Sequence, residues 1–289
     1  MTARICFVTC RRWPEISESD RLARRALESR GAVVEARPWN GPGTEFGGFD
    51  AVVLRSNWDY HFEPEAFLAW LDRIERAGVR LFNPPALVRW NVSKRYLLAL
   101  EAAGVPTVAT TVLDDPTREA IEASLGRHGP VVVLKPAIAA SAHGTRLVTA
   151  ASVDETLRAL AAGVLVPPLL VQPFVEEVRS RGEWALIFIE GELTHAVLKR
   201  PGPGEFRVQG HLGGNAEAAA APPGVAAVAR RALAALPAPP LYARIDAVEA
   251  AAGPLVMEAE VNEPGLFFNH APAAAGRFAA ALLRRIRSA

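Results

Sequence analysis

Tyr242-Ala-Arg-Ile-Asp246 and Val256-Met-Glu-Ala-Glu-Val-Asn262 are two short strand-like runs joined through a turn at Ala251, Ala252, Gly253 and Pro254. Side chains on a strand alternate faces. Tyr242, Arg244 and Asp246 therefore share one face, and Glu258, Glu260 and Asn262 share one face of the partner run. The opposite faces carry Ala243, Ile245, Met257, Ala259 and Val261, which are expected to enter a core. Three carboxylates then converge on a half-buried hairpin. Two like charges about 4 Å apart repel by about 4 kcal/mol at an effective dielectric near 20, and Arg244 alone supplies too little compensation. Spacing leaves two readings: a solvated polar face on an edge hairpin, or an oxygen-only site for a divalent cation. The latter suits Mg²⁺, with Mn²⁺ tolerated.

The basic residues point the same way. Of 32 lysines and arginines, only Lys94, Lys135 and Lys199 are lysine. An ammonium is a compact point charge, whereas guanidinium is a broad planar fork. Packing one cation between phosphate oxygens in a narrow cleft suits the ammonium.

Around these residues the chain divides into three expected units, 1–84, 85–170 and 171–289. In the first, strand-like runs at 4–9, 32–36, 51–54 and 79–82 alternate with helical patterns at 19–30 and 63–77. That alternation predicts an open, mostly parallel sheet with ligand-binding loops at the carboxyl ends of its strands. Asn83-Pro84-Pro85 reads as a rigid break. The middle unit shows a helix over 92–103 closed by Gly104, strands at 107–113, 131–135 and 169–172, and a capping box Ser152-Val153-Asp154-Glu155 opening a helix to 162. The last unit holds a hairpin (184–189 and 193–199), a loop-like stretch over 200–223, a helix over 225–236 and the acidic strand pair. The fold class is α/β, α+β overall: a parallel N-terminal unit, a small central α+β unit and a C-terminal antiparallel sheet.

Composition excludes several classes. Net charge is +1 with both signs interspersed, and no basic tract marks a nucleic-acid partner. Cys6 and Cys10 read as small buried hydrophobes without a disulfide framework, so a cytoplasmic location is expected. The N-terminal stretch has no signal-peptide pattern. The Ala-rich run 216–235 is broken by Glu217, Pro222, Pro223, Arg230 and Arg231, so no membrane span is expected.

Tyr-Ala-Arg-Ile-Asp at 242–246, followed by Glu260-Val-Asn-Glu-Pro-Gly265, resembles the metal-binding end of the ATP-grasp superfamily, which includes D-alanine–D-alanine ligase, glutathione synthetase and the RimK-like carboxylate–amine ligases. The resemblance implies that Asp246, Glu260 and Asn262 bind two Mg²⁺ ions, and leaves Glu258 as an extra acid without a counterpart. It implies that Lys94 and Lys135 reach the ATP phosphates, and that the stretch Ala139–Thr145, with Ser141 and Gly144, is the loop over the triphosphate. Leu170 to Glu177 resembles the adenine hinge: Gln172, Phe174 and Val175 would read the base, and Glu177, favoured over Glu176, the ribose. Arg55-Ser-Asn-Trp-Asp-Tyr60, Lys199-Arg-Pro201, Phe206-Arg-Val-Gln209 and Gly213-Gly214 are similar to a narrower group, the O-ureido-serine cyclo-ligase type of cycloserine biosynthesis.

The activity implied by the resemblance is that of a two-step ligase. A carboxylate attacks the ATP γ-phosphate, and an amine-type nucleophile then displaces phosphate from the acyl phosphate, either between two molecules or within one amino-acid-like molecule. Lys199 and Arg207 would lie near the γ-phosphate or the acyl carboxylate, and Arg244 would stabilise the oxyanion. Gly213 and Gly214 would offer backbone N–H groups. Ser56, Asn57, Asp59 and Tyr60 would meet the substrate, with Asp59 pairing with an ammonium. The partners implied are ATP and a small carboxylate or amine. Two alternatives stay open: a phosphotransferase of the same fold, and a nucleotide-binding regulator without turnover.

Overall fold

The computed structural model describes residues 2–288. The first unit comprises β1 (Arg4–Thr9), α1 (Glu18–Glu28), β2 (Val33–Pro38), β3 (Ala51–Leu54), α2 (Pro64–Arg76) and β4 (Leu81–Phe82). Its strands are all parallel, in the order β2-β1-β3-β4. The apolar run of β1 follows from burial on both faces. Ile5 and Phe7 enter one core, and Cys6 and Val8 enter another with Trp39, Phe67 and Trp70. Both cysteines are free and buried, as the composition predicts.

The middle of the chain contributes α3 (Pro85–Val92), α4 (Tyr96–Ala102), β5 (Thr111–Leu113), α5 (Arg118–His128), β6 (Val132–Pro136), β7 (Arg146–Val148), α6 (Val153–Ala161) and β8 (Leu169–Pro173). The strands form an antiparallel sheet ordered β5-β8-β6-β7. The expected cut between 170 and 171 falls inside β8. Val132 and Leu134 of β6 pack into the core under α5 and α6.

The last part holds α7 (Glu177–Ser180), β9 (Glu183–Ile189), β10 (Glu192–Arg200), β11 (Asn215–Ala218), α8 (Pro223–Ala234), β12 (Tyr242–Ala250), β13 (Gly253–Glu260) and α9 (Pro272–Arg287). The sheet runs β11-β10-β9-β12-β13, antiparallel throughout. One face packs on α8. The other receives α9, whose Phe278 also meets Phe7 of β1 edge-on at 6.3 Å. None of the described helices is long and apolar enough to cross a membrane.

Several local expectations change. The helix expected over 92–103 is interrupted: α3 ends at Val92 and α4 starts at Tyr96, because Ser93 is extended (φ −104°, ψ 127°). Lys94 lies in that break, its backbone N–H donating to Ala137 O at 2.7 Å. Pro84-Pro85 is less a break than a helix start, with Pro85 in the first turn of α3. The run 107–113 is split. Thr107 bridges to Val256 of the C-terminal sheet, and only 111–113 joins the central one. The capping box sits one turn early, between Thr149 and Ser152. The stretch 200–223 contains the edge strand β11.

Asn83 has a structural role the sequence hides. Its Nδ2 donates to Tyr242 O (2.9 Å) and Val261 O (2.7 Å), and its Oδ1 accepts from Leu241 N (2.6 Å). One buried amide thereby joins the first unit to both acidic strands.

Candidate active site

Arg244 stands opposite Glu260, and Asp246 opposite Glu258, across the β12–β13 ladder. Beyond Asp246 the register shifts, so Ala247 pairs with Val256 and Met257 is left as the extra residue of a bulge. Met257 therefore lines the cleft, not the core that strict alternation predicts. Ala243, Ile245, Ala259 and Val261 do enter the core under α8.

The regular part of the ladder, up to Asp246, gathers three acids. Asp246, Glu258 and Glu260 each offer a carboxylate oxygen, all within 4.8 Å of one another. Cations from several elements compensate them. Arg244 donates to Asp246 (2.9 Å) and to Glu260, and Lys199 donates to Asp246 (3.1 Å) and to Glu183. Burial still pushes the Glu260 carboxyl up to about 7, with Asp246 and Glu258 adding to the effect and Arg244 opposing it.

Glu258 is the centre of a second cluster. Lys135 Nζ donates to its Oε1 at 2.9 Å and Lys94 Nζ to its Oε2 at 3.2 Å. Lys135 alternates with Leu134 on β6, which turns it out of the central core and into the cleft. Burial alone would raise the Glu258 carboxyl, but the two ammonium groups hold it well below the usual carboxylate range. Burial likewise works against the Lys94 charge, and Glu258 outweighs it, so the ammonium is held more firmly than usual. The sequence assigned no role to Glu258.

These groups floor a cleft of about 500 Å³ lined by residues of the central and C-terminal sheets and their loops, with Trp58 and Tyr60 from the stretch after β3. On its central side the loop 139–145 carries left-handed backbone at Ser141 (φ 54°), Ala142 (φ 58°) and Gly144 (φ 70°). Ser141 lines the cleft. Gly144 turns away from it against Pro136, where a Cβ would come within 2.8 Å of the ring. Gln172, Phe174 and Val175 form one wall, with Gln172 Nε2 donating to Thr110 Oγ1 at 2.9 Å. Val178, Phe206, Val208 and Met257 complete an apolar slot, in which Val178 and Val208 pack with Val175 and Met257.

Glu177 lies outside the cleft lining. Its Oε1 accepts from Ala251 N at 2.7 Å. Glu176 is exposed. An acid that does line the cleft is Glu183, which sequence reasoning missed and which shares Lys199 with Asp246. Burial raises its carboxyl against the pull of Lys199.

The expected substrate residues separate. Tyr60 lines the cleft, as does Trp58 beside it. Ser56 and Asn57 are fully buried beneath. Asn57 Nδ2 donates to Asn262 Oδ1 at 3.1 Å, so the Asn262 amide faces the first unit and its Nδ2 is buried without a partner. Asp59 accepts from Trp39 Nε1 (2.7 Å) and Asn40 Nδ2 (2.9 Å) and does not line the cleft. Gly214 lines it and Gly213 does not. A Cβ on Gly214 would sit 2.3 Å from Val208 O. Arg207 reaches the cleft paired with Glu205 at 2.7 Å, and this arginine holds the Glu205 carboxyl down to about 2. Glu263, also unassigned from sequence, lines the cleft. Burial and the neighbouring Glu260 push its carboxyl up to about 8.

Clustered ammonium and guanidinium groups above a knot of carboxylates, at the mouth of an apolar slot, match a polyphosphate nucleotide carrying divalent ions. The donor set fits such ions through three carboxylates with converging oxygens; the one atom by which Asn262 could join them, Oδ1, accepts from Asn57.

Comparison with known proteins agrees. The model of the RimK-like ATP-grasp domain matches residues 92–269, and that of the D-cycloserine synthetase DcsG N-terminal domain matches residues 5–83. The cycloserine biosynthesis protein DcsG of Streptomyces lavendulae is 31% identical over 282 residues, 91% of this chain and 92% of the relative. The crystal structure of D-cycloserine synthetase DcsG superposes with a TM-score of 0.88 at 30% identity, covering 98% of this chain and 100% of the other. A RimK domain ATP-grasp protein from Sphaerobacter thermophilus gives 0.71 at 20% identity, covering 96% and 99%. The chain belongs to the RimK-like ATP-grasp family, an enzyme of the ATP-dependent ligases that use ATP and a divalent metal.

Proposed function

We propose that the protein activates a carboxylate as an acyl phosphate with Mg-ATP and transfers the acyl group to an amine-type nucleophile, within one amino-acid-like molecule. The observation that carries this reading is the pairing of Lys94 and Lys135 around Glu258, directly beside the Asp246–Glu260 pair. The two ammonium groups are gathered where phosphate oxygens would displace the Glu258 carboxylate. Likeness to a D-cycloserine synthetase over nearly the whole chain supports an intramolecular, ring-closing reaction.

In this scheme the adenine occupies the slot between Phe174 and Met257, and Gln172 and Val175 offer backbone groups to its edge. Lys94 and Lys135 hold the α- and β-phosphates, with Ser141 covering them. Lys199 and Arg207 stand nearer the γ-phosphate. Two Mg²⁺ ions, replaceable by Mn²⁺, would be held by Asp246, Glu260 and, with its Oδ1 released from Asn57, Asn262, and would neutralise phosphate charge. A substrate carboxylate oxygen attacks the γ-phosphorus, the bond to the β,γ-bridging oxygen breaks, and ADP leaves. The nucleophilic nitrogen then adds to the acyl carbon, and Arg244 steadies the oxyanion. The carbon–oxygen bond to phosphate breaks, and the nitrogen loses a proton.

The test is ADP release from Mg-ATP across amino acids and their hydroxylamine and ureido derivatives, with hydroxylamine added as a trap. Hydroxamate formation supports the ligase. A stable phosphorylated product would make the protein a phosphotransferase, and nucleotide binding without ADP release on any member would make it a regulator.

A further inference from the structure

Every cation that lines the cleft is committed to an acid. Lys94 and Lys135 serve Glu258, Lys199 serves Glu183 and Asp246, Arg244 serves Asp246 and Glu260, and Arg207 serves Glu205. Glu263 is different. It lines the same cleft, yet among the described residues no other side chain bonds its carboxyl group. That leaves it as the cleft acid open to a group on the second ligand.

The surroundings are built to hold that carboxylate in place. Trp58 Nε1 donates to Glu263 O at 3.3 Å, the fully buried Arg55 donates through Nη2 to Pro264 O at 2.8 Å, and Asn57 holds Asn262. The turn carrying Glu263 is thus fixed by three residues from one short segment of the first unit. Trp58, Tyr60 and Phe267 line the same cleft. Aromatic rings in a cleft that also offers a carboxylate favour an ammonium, by ring–cation attraction added to the ion pair. Asp59, the carboxylate that sequence reasoning favoured for this role, is occupied by Trp39 and Asn40.

We infer that Glu263 recognises the free ammonium group of an amino-acid-type substrate, with Trp58, Tyr60 and Phe267 as the walls of that subsite. The inference rests on the ligase reading and narrows its substrate class: the molecule keeps an unmodified amino group that is not the reacting nitrogen. Glu263 is therefore a specificity residue.

The test uses thermal shift on the full chain saturated with Mg²⁺ and AMP-PNP. The probes are alanine, serine, homoserine and O-ureidoserine in both hands, each matched with the acid that has hydrogen or hydroxyl in place of the amino group. Stabilisation is expected from amino-bearing probes and not from their matched acids. Glu263→Gln should weaken binding of the best probe by about 10- to 100-fold, and Glu263→Asp should recover part of it. Equal binding of a matched acid, undiminished binding to Glu263→Gln, or no shift from any amino-bearing probe would overturn the inference. The Mg-dependent AMP-PNP shift is read in both proteins beforehand. Its absence from the wild type sinks the ligase reading, whereas its loss in Glu263→Gln alone assigns Glu263 to the metal and overturns the ammonium subsite.

Discussion

Lys135 and Glu258 lie 123 residues apart in the chain and meet at 2.9 Å on the floor of the cleft. The carboxylate occupies Lys94 as well, so the two cations assigned to the nucleotide are held by an internal anion. Glu258→Gln should have two opposite effects. The unliganded protein should lose about 2 kcal/mol, below the range for a fully buried pair because Glu258 keeps 22% exposure. Metal-free ADP should bind about 5- to 10-fold more tightly, because phosphate no longer competes with a carboxylate. Calorimetric titration in EDTA reads the second effect, and unchanged or weaker ADP binding would contradict it.

Removing the cation has the reverse signature. Lys135→Ala should lower ADP formation by about 100-fold or more, and Glu260→Ala should do the same, with far-ultraviolet circular dichroism unchanged. Full turnover in either variant would break the proposed roles.

Arg55 and Asp20 form an ion pair in the interior, 2.9 Å apart, with side chains 1% and 2% exposed. Truncating one partner strands the other charge. Arg55→Met or Asp20→Asn should cost about 3 to 5 kcal/mol in urea unfolding. Arg55→Met should also weaken substrate binding, because Pro264 O loses its donor.

Asn83→Ala leaves Leu241 N, Tyr242 O and Val261 O without their partner. A loss of about 3 kcal/mol is expected. Hydrogen exchange should locate it at the start of β12 and the end of β13, beside the acids. A loss spread evenly over the chain would contradict that placement.

His61 contributes one part of the pH dependence. Its Nδ1 lies 2.8 Å from Trp58 O, its Nε2 is buried without a partner, and burial pushes its pKa down to about 4. The unfolded ring titrates near its ordinary value, so between about 6.5 and 4 the unfolded chain binds the extra proton. Stability from this group is complete above about pH 6.5 and declines as pH falls toward 4. Urea midpoints at pH 7 and pH 5 should therefore differ more for the wild type than for His61→Gln. Equal differences would remove His61 as the cause.

Much of the site was legible because strand alternation and rare lysines are written locally. Arg244, Asp246, Glu258 and Glu260 follow from period two, and Lys135 follows from its strand. Met257 did not, because a bulge is a property of two paired strands and neither strand shows it alone. Lys94 was placed at the start of a helix, but the backbone leaves helical geometry at Ser93 and bonds to Ala137 across the chain. Asp59, Glu177 and Glu263 illustrate the main limit. Whether a carboxylate is spent on a neighbour or open to a ligand depends on Trp39, Asn40 and Ala251, residues distant in sequence or invisible as backbone donors.

The terminal helix α9 docks on the N-terminal sheet and on α1, while also covering the C-terminal sheet. The chain's tail thus fastens its head to its far end and closes a loop through the molecule. Two of the three sheets share one core, and the sheet built from β5 to β8 keeps a separate one. Trimming the last helix should therefore loosen the shared core of those two sheets and leave the core under β5 to β8 intact.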